Sequence, residues 1–245
     1  FIHISDIDYI VEADTPLIEL PPAGISEVER AIGKNCASLI EDGDTLQLGI
    51  GAIPDAVLGF LKEKKDLGIH SEMISDGIVE LYEGGVITNR RKSLHAGKSI
   101  VTFLMGTRRL YDFADNNPAV ELHPVDYVND PYVIAQNERL VSVNSCVQVD
   151  LMGQVVSASV GRRQISGVGG QVDFVRGANM SRGGKSIMAM PSTAAEGRIS
   201  KIVPVIGEGA AVTTSRYDAD YIVTEYGAAR LKGESLRNRA KKLIR

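Results

Sequence analysis

Cysteine is scarce in this sequence, and a long apolar run is absent. The two cysteines, Cys36 and Cys146, lie far apart and form no CxxC pair, so neither a disulfide scaffold nor a zinc cluster is predicted. A chain of this kind is expected in a reducing cytoplasm. No uninterrupted apolar run approaches the roughly 20 residues that span a bilayer, and no basic stretch followed by an apolar one indicates a signal peptide.

A surplus of positive charge is also lacking. Lys and Arg number 27 against 31 Asp and Glu, which gives a formal net charge of -4 and a pI near 5.6. This balance argues against a general nucleic-acid binder and against a protein held on anionic lipid. Any anionic ligand therefore needs a local basic site. The 245 residues, 44% of them hydrophobic, are enough to bury the core of a globular protein.

The amino-terminal residues predict a strand and then a linker. Residues 4–11 are rich in apolar side chains, and the prolines that follow, ending in Pro21 and Pro22, restrict the backbone to extended conformations. After the prolines, Ser26 and Glu29 have the spacing of a capping box and begin an apolar helical pattern. We therefore predict a helix over residues 26–41.

Short apolar runs then alternate with helical patterns along the rest of the chain. Strands are predicted at residues 45–50, 68–74, 99–105, 140–149, 155–158, 186–190, 202–206 and 221–224. Helices are predicted at residues 54–65, 76–82 and 108–114. This alternation indicates an α/β fold with a mainly parallel sheet flanked by helices.

The first candidate binding segment joins a predicted strand to a predicted helix. It has the sequence Gln47-Leu-Gly-Ile-Gly-Ala-Ile-Pro54, and its glycines allow a ligand to approach the backbone. The free amides at the start of the following helix favour an oxyanion or a phosphate. Pro54 stands where a dinucleotide-binding motif has its third glycine, so the segment does not match that motif. A tight turn without a ligand explains it equally well.

The second candidate is a carboxylate within an apolar strand. Glu72 lies in the stretch GIHSEMISDG at residues 68–77, and a buried carboxylate is costly unless it is paired, solvated or used in chemistry. Such a glutamate can serve as a nucleophile or a general base. A solvent-facing strand residue is the alternative. His70 is expected to be a hydrogen-bonded histidine, since no second His or Cys stands at metal-ligand spacing.

The third candidate is a basic, glycine-rich segment over residues 161–185. Five cations outnumber its single acid, Asp173, and Gly167, Gly169 and Gly170 supply amides that can hold an oxyanion. Residues 171–174 are expected to begin a helix. The segment predicts a site for a small polyanion, and a solvated surface loop is the alternative. The five cations are Arg162, Arg163, Arg176, Arg182 and Lys185.

Three further residues are weaker candidates. Asn144 lies in a β-branched run, where its amide needs a hydrogen-bond partner. The nearby Cys146 is interpreted as a small buried apolar residue rather than a nucleophile. Glu225 follows a predicted strand and suits a structural role as well as a functional one.

Together these segments resemble the acetyl-CoA hydrolase/transferase family, which includes 4-hydroxybutyrate and butyrate:acetate CoA-transferases. The segments that carry the resemblance are the glycine segment at 47–57, the GIHSEMISDG stretch at 68–77, the GVGGQVDF segment at 167–174 and the EYG sequence at 225–227. The resemblance implies a CoA-transferase-like α/β fold. It also implies transfer of CoA between an acyl-CoA and a short-chain carboxylate by a ping-pong mechanism.

The resemblance implies roles for particular residues. Glu72 matches the family's catalytic glutamate, which attacks acyl-CoA and then carries CoA as a glutamyl thioester. Asn144 matches a side-chain donor to the oxyanion of that thioester. The residues that match the CoA-binding loops are Gln47, Leu48, Gly49, Ile50, Gly51, Gly169 and Gly170. Neither a metal nor a permanently bound cofactor is implied, since coenzyme A and acyl-CoA are substrates.

The resemblance further implies that the chain is part of a larger enzyme. Residues 1–20 resemble the end of a missing amino-terminal domain, and residues 21–245 resemble the carboxy-terminal catalytic domain. The expected partners are acyl-CoA, a short-chain carboxylate, the missing domain and further copies of the chain, and neither nucleic acid nor membrane is expected. Two alternatives are hydrolysis of acyl-CoA and, for the isolated half, CoA binding without catalysis.

Overall fold

The computed structural model describes residues 3–244, in which helices and strands alternate. The eight α-helices in this part of the chain are α1 (Glu27–Ala37), α2 (Ala52–Gly59), α3 (Asp76–Glu83), α4 (Arg108–Ala114), α5 (Val125–Val128), α6 (Pro131–Ala135), α7 (Gln171–Met180) and α8 (Leu236–Ile244). The strands are β1 (Thr45–Leu48), β2 (Gly68–Ile69), β3 (Met73–Ile74), β4 (Ser99–Val101), β5 (Phe103–Leu104), β6 (Val120–Leu122), β7 (Leu140–Ser145), β8 (Gln148–Asp150), β9 (Val155–Val156), β10 (Ser159–Val160), β11 (Arg163–Gln164), β12 (Lys185–Ala189), β13 (Thr193–Ala194), β14 (Ile199–Ser200), β15 (Ile202–Val203), β16 (Tyr221–Thr224) and β17 (Gly227–Arg230). No helix among the described residues is both long enough and apolar enough to cross a membrane.

Six strands form the central sheet, in the order β17-β16-β12-β7-β1-β2. Neighbouring strands are parallel except for β16 and β17, which form an antiparallel pair at one edge. The predicted mainly parallel α/β fold is therefore confirmed. From β1 the chain adds β2 on one side and β7 on the other, and such a reversal opens a crevice beyond the carboxyl ends of the strands.

Helices cover both faces of this sheet. Side chains alternate along a strand, so neighbouring residues of β12 point to opposite faces. Ile187 packs in one buried cluster with Ile32 of α1, whereas Met188 packs in another with Val175 of α7. Helix α1 and helix α7 thus lie on opposite sides of the sheet.

The predicted helix at residues 26–41 is present, and its predicted cap is confirmed. The Ser26 hydroxyl accepts from the Glu29 amide at 3.3 Å, and the Glu29 carboxylate accepts from the Ser26 amide at 2.8 Å. The α-helix ends at Ala37, several residues before the predicted end. Helix α2 likewise ends at Gly59 rather than at residue 65.

Three predicted strands are each divided into two. Residues 68–74 begin beside β1 as β2 and continue beside β5 as β3, so the pairing partner changes in the middle of the run. Residues 99–105 divide in the same way into β4 and β5, and residues 140–149 divide into β7 and β8. A continuous apolar run does not reveal that its backbone exchanges one neighbour for another.

The predicted strand at residues 4–11 is wrong for the described part of the chain. Residues Ile4–Asp6 form a 3-10 helix, and no strand lies beside residues 7–11 to pair with their amides. The extended linker that was predicted to follow is present, and Leu20 is tied to the domain by its amide, which donates to the Gly106 carbonyl at 2.9 Å. Residues 1 and 2, which precede the predicted strand, lie outside the described range.

Candidate active site

Glu72 lies at the point where β2 ends and β3 begins. Its own carbonyl accepts from the amides of Thr102 and Phe103, at 2.8 and 3.1 Å. The Ser71 amide just before it donates to the Ile100 carbonyl at 3.0 Å. The backbone of this residue is therefore held on both sides, while its side chain is partly exposed.

The carboxylate of Glu72 lies between an amide donor and the start of a helix. Its Oε2 accepts from Nδ2 of Asn129 at 2.9 Å. On the other side it lies so close to Gly170 that a methyl group there would overlap both Oε2 and Nδ2. Because Gly170 caps the amino end of α7, the carboxylate lies at the positive end of that helix.

Sequence reasoning did not identify Asn129. It follows α5, and its amide nitrogen donates to the Val125 carbonyl at 2.9 Å, so the last turn of that helix fixes its position. A carboxylate only accepts hydrogen bonds, which places Nδ2 rather than Oδ1 of the side chain toward Glu72. Oδ1 is buried without a partner among the described residues. A sequence signal does exist, since Asp130-Pro131 follows Asn129 and starts α6, but it indicates a helix boundary rather than a site.

The negative charge of Glu72 affects the pKa of a second carboxylate, that of Asp173. Asp173 lies in the first turn of α7, and its pKa is raised above the usual range. Burial is the largest cause, and the negative charges of Glu72 and Asp130 add to it, whereas Arg176 opposes it. The environment of Glu72 therefore combines the Asn129 side-chain amide and the amino end of α7 with a nearby carboxylate.

Asn144 lies near the same edge of the sheet but is bonded to other residues. Its Nδ2 donates to the Ser142 hydroxyl at 2.8 Å and to Oε1 of Gln47 at 3.2 Å. The Ser142 hydroxyl in turn donates to the same Gln47 oxygen at 2.7 Å. Both amide hydrogens of Asn144 are thereby engaged, and the Gln47 side chain is buried within this network.

The glycine segment after β1 connects the central sheet to α2. The carbonyl of Leu48 accepts from the Ser71 hydroxyl at 3.1 Å, which ties this segment to the residue before Glu72. Gly49 has open space above its Cα, and Gly51 has a φ of 111°, a conformation that favours glycine. Ile50 and Gly51 line a cavity of about 530 Å³ that also includes Leu20 of the linker.

Most positive charges of the basic segment are paired with carboxylates of the same domain. Four of its five cations approach carboxylates from other parts of the chain: Arg162 pairs with Glu208, Arg176 with Asp218, Arg182 with Glu138, and Lys185 with Glu41. Arg163 is exposed on β11. Much of the local positive charge is therefore balanced within the domain, and the role of this segment in holding a polyanion stays a prediction. The predicted helix at residues 171–174 is confirmed as the start of α7.

The remaining candidates are buried or hydrogen-bonded within the domain. Cys146 is buried, as predicted for a small apolar residue, and burial raises the pKa of its thiol to about 12. His70 is fully buried and hydrogen-bonded, as predicted for a core histidine. The Glu225 carboxylate accepts from the amide and the hydroxyl of Ser192, at 2.8 and 2.6 Å.

The fold is that of a CoA-transferase-like α/β domain. A family model described as the acetyl-CoA hydrolase/transferase C-terminal domain matches residues 106–245. The chain therefore belongs to the acetyl-CoA hydrolase/transferase family.

Several known proteins are similar along nearly the whole chain. The 4-hydroxybutyrate coenzyme A transferase of Clostridium kluyveri is 69% identical over 244 residues, which are 100% of this chain and 57% of the relative. The crystal structure of RipA from Yersinia pestis superimposes with a TM-score of 0.92 at 49% identity, covering 99% of this chain and 55% of the other. A 4-hydroxybutyrate CoA-transferase structure from Porphyromonas gingivalis gives a TM-score of 0.85 at 50% identity, with 99% and 57% covered. The chain thus spans about half the length of these relatives.

Proposed function

We propose that the protein containing this chain is an acyl-CoA:carboxylate CoA-transferase, with 4-hydroxybutyrate or butyrate and acetate as its carboxylates. The proposal rests above all on the Glu72 carboxylate, which faces the Asn129 amide and the start of α7. Its proposed substrates are those for which the relatives are named, above all the 4-hydroxybutyrate coenzyme A transferase of Clostridium kluyveri. Residues 21–245 act in this proposal as the carboxy-terminal catalytic domain, and residues 1–20 connect it to an amino-terminal domain.

The proposed reaction has two steps on the same side chain. Oε1 of Glu72 attacks the thioester carbonyl and the C–S bond breaks, so that CoA leaves as a thiolate and a mixed anhydride of Glu72 and the acyl group is formed. The thiolate then attacks Cδ of Glu72, and the acyl group leaves as a carboxylate that takes Oε1 with it. An incoming carboxylate reverses both steps, so the thioester energy is conserved throughout.

Negative charge develops on an oxygen in each step and needs donors that are already in place. When the thiolate attacks Cδ, the charge moves onto Oε2, the atom that already accepts from Asn129. Asn129 is therefore better placed than Asn144 to act as the oxyanion donor, because the amide hydrogens of Asn144 bond to Gln47 and Ser142. The backbone amides around Gly49, Gly51, Gly169 and Gly170 are proposed to hold CoA and the reacting carbonyl.

Hydrolysis is the second candidate, because the matching family is described as both hydrolase and transferase. In hydrolysis, water replaces the acceptor carboxylate and the thioester is lost. Incubation of a full-length version with butyryl-CoA and acetate distinguishes the two reactions. Acetyl-CoA formed in step with loss of butyryl-CoA supports transfer, whereas free CoA formed at the same rate with and without acetate supports hydrolysis.

Substitution of Glu72 by Gln tests the proposed nucleophile. An amide cannot form the anhydride, so we expect turnover to fall by at least about 10⁴-fold, as when other enzymes lose a nucleophile. The partly exposed side chain makes one hydrogen bond, so the free energy of unfolding should change by no more than about 1 kcal/mol. Both quantities are measured on the full-length protein, by the transfer assay and by urea unfolding. A variant that keeps substantial turnover, or that loses activity only because it unfolds, would contradict the assignment.

A further inference from the structure

His70 touches both of the elements that enclose the Glu72 carboxylate. Its Nε2 lies 2.9 Å from the carbonyl oxygen of Val128, the residue before Asn129. Its ring packs against Phe174, with ring centroids 6.3 Å apart and an interplanar angle of 58°. Phe174 lies one helical turn after Gly170, and its amide donates to the Gly170 carbonyl at 3.0 Å.

The position of His70 in the chain explains these contacts. It precedes Glu72 by two residues, just before the strand segment ends in a bend. The side chain of His70 contacts Val128 at the end of α5 and Phe174 in the first turn of α7. It is fully buried, in contact with the apolar cluster that contains Val128 and Phe174.

The hydrogen bond defines the state of the imidazole. A carbonyl oxygen only accepts, so Nε2 carries the hydrogen and donates it. Nδ1 is buried and has no partner among the described residues, and it carries no hydrogen in the neutral ring. Burial lowers the pKa of His70 to about 4, so the neutral form persists at neutral pH.

The backbone of His70 does not depend on its side chain. The His70 amide donates to the Leu46 carbonyl at 3.1 Å, and the following amide donates to the Ile100 carbonyl. These bonds belong to the strand pairing on both sides of the segment. A substitution at His70 can therefore change the contacts to α5 and α7 while the strand stays in place.

We propose that His70 is a positioning residue, which holds Asn129 and Gly170 against the Glu72 carboxylate through Val128 and Phe174. The inference rests on the proposed function, since it gives His70 a part in reactions on Glu72. The bond from Nε2 to Val128 fixes the peptide that carries Asn129, and the ring fixes the first turn of α7. A displacement of about 1 Å in such an arrangement can slow a reaction by about 10²-fold.

Two substitutions separate the hydrogen bond from simple filling of space. His70→Phe keeps a ring of similar size but removes the donor, whereas His70→Gln keeps a donor that can reach the Val128 carbonyl. Ser181→Ala is the matched control, because the buried Ser181 hydroxyl donates to the Asn137 carbonyl at 2.7 Å at the opposite end of α7. This control also loses a buried hydrogen bond to a carbonyl, but far along the helix from Gly170.

The measurement is the single-turnover rate at which a full-length version acquires CoA on Glu72 at saturating butyryl-CoA, scaled to the folded fraction from circular dichroism. We expect this rate to fall about 10²-fold in His70→Phe, while KM for butyryl-CoA in the steady-state transfer assay changes less than about 3-fold. His70→Gln should remain within about 5-fold of the wild type, and Ser181→Ala within about 2-fold, whatever their stabilities.

Three results would overturn the inference in different ways. A wild-type rate in His70→Phe would show that the hydrogen bond positions nothing. An equal loss in His70→Phe and Ser181→Ala would show a merely structural effect. A wild-type protein that turns over without CoA on Glu72 would contradict the proposed function itself, and the role of His70 with it.

Discussion

Gly169 and Gly170 are adjacent, yet each requires glycine for a different physical reason. Gly169 has a φ of +57° with open space above its Cα, whereas Gly170 has an ordinary φ but no room for a side chain beside Glu72 and Asn129. Gly169→Ala should therefore cost about 1 kcal/mol of unfolding free energy and little activity per folded molecule. Gly170→Ala should displace the Glu72 carboxylate and lower kcat by about 10²-fold. Urea unfolding and transfer assays on the two full-length variants check this contrast, which fails if both substitutions act alike.

At the residue scale, the sequence predicts some members of the site and not others. Glu72 and the glycines are identifiable because a carboxylate in an apolar run and a cluster of glycines are unusual in themselves. Asn129 has no such local signal, because it lies 57 residues from Glu72 and reaches it only when α5 packs beside the β2–β3 segment. Asn144 attracts attention in the sequence for the same reason as Glu72, but its buried network with Gln47 and Ser142 depends on strand register.

At the scale of elements, the segment from β2 to β3 makes stability depend on pH through His70. Burial is the largest cause that lowers the pKa of His70 to about 4, and the positive charge of Lys92 adds to it. As the pH falls, His70 therefore binds a proton near pH 6.5 in the unfolded chain but only near pH 4 in the folded chain. The stability that the neutral, buried His70 contributes is fully present above pH 6.5 and is lost as the pH falls toward 4. The loss amounts to about 3 kcal/mol. Unfolding free energies measured from pH 7 to pH 4 should fall more steeply in the wild type than in His70→Gln, and parallel curves would contradict this assignment.

Local signals predicted elements well where local contacts form them. The Ser26–Glu29 capping box lies within one turn, and helix α1 begins where that pattern predicts. The divided strands were not predictable in this way, because their breaks lie where the backbone exchanges one partner strand for another. The break at residues 70–72 is also what places Glu72 outside a continuous strand, so the least predictable feature of this element positions the site.

At the scale of the whole molecule, the chain is one part of a longer arrangement in its relatives. It spans 57% of the Clostridium kluyveri transferase, and its first described residues carry exposed apolar side chains, among them Tyr9, Val11 and Ile18. Several exposed apolar side chains within one segment are typical of a surface that contacts another part of a protein. They support the proposal that residues 1–20 lead to an amino-terminal domain. In this proposal the carboxy-terminal domain carries Glu72, and the amino-terminal domain completes the pocket for the acyl group.

The most direct test of the central claim is to locate the covalent adduct. A full-length version is incubated with butyryl-CoA without an acceptor, quenched, digested and examined by mass spectrometry, with Glu72→Gln treated in parallel. We expect the mass of a CoA thioester on the peptide that contains Glu72, its disappearance on addition of acetate, and no adduct in Glu72→Gln. A CoA adduct on any other residue, or turnover by Glu72→Gln at the wild-type rate, would contradict the account.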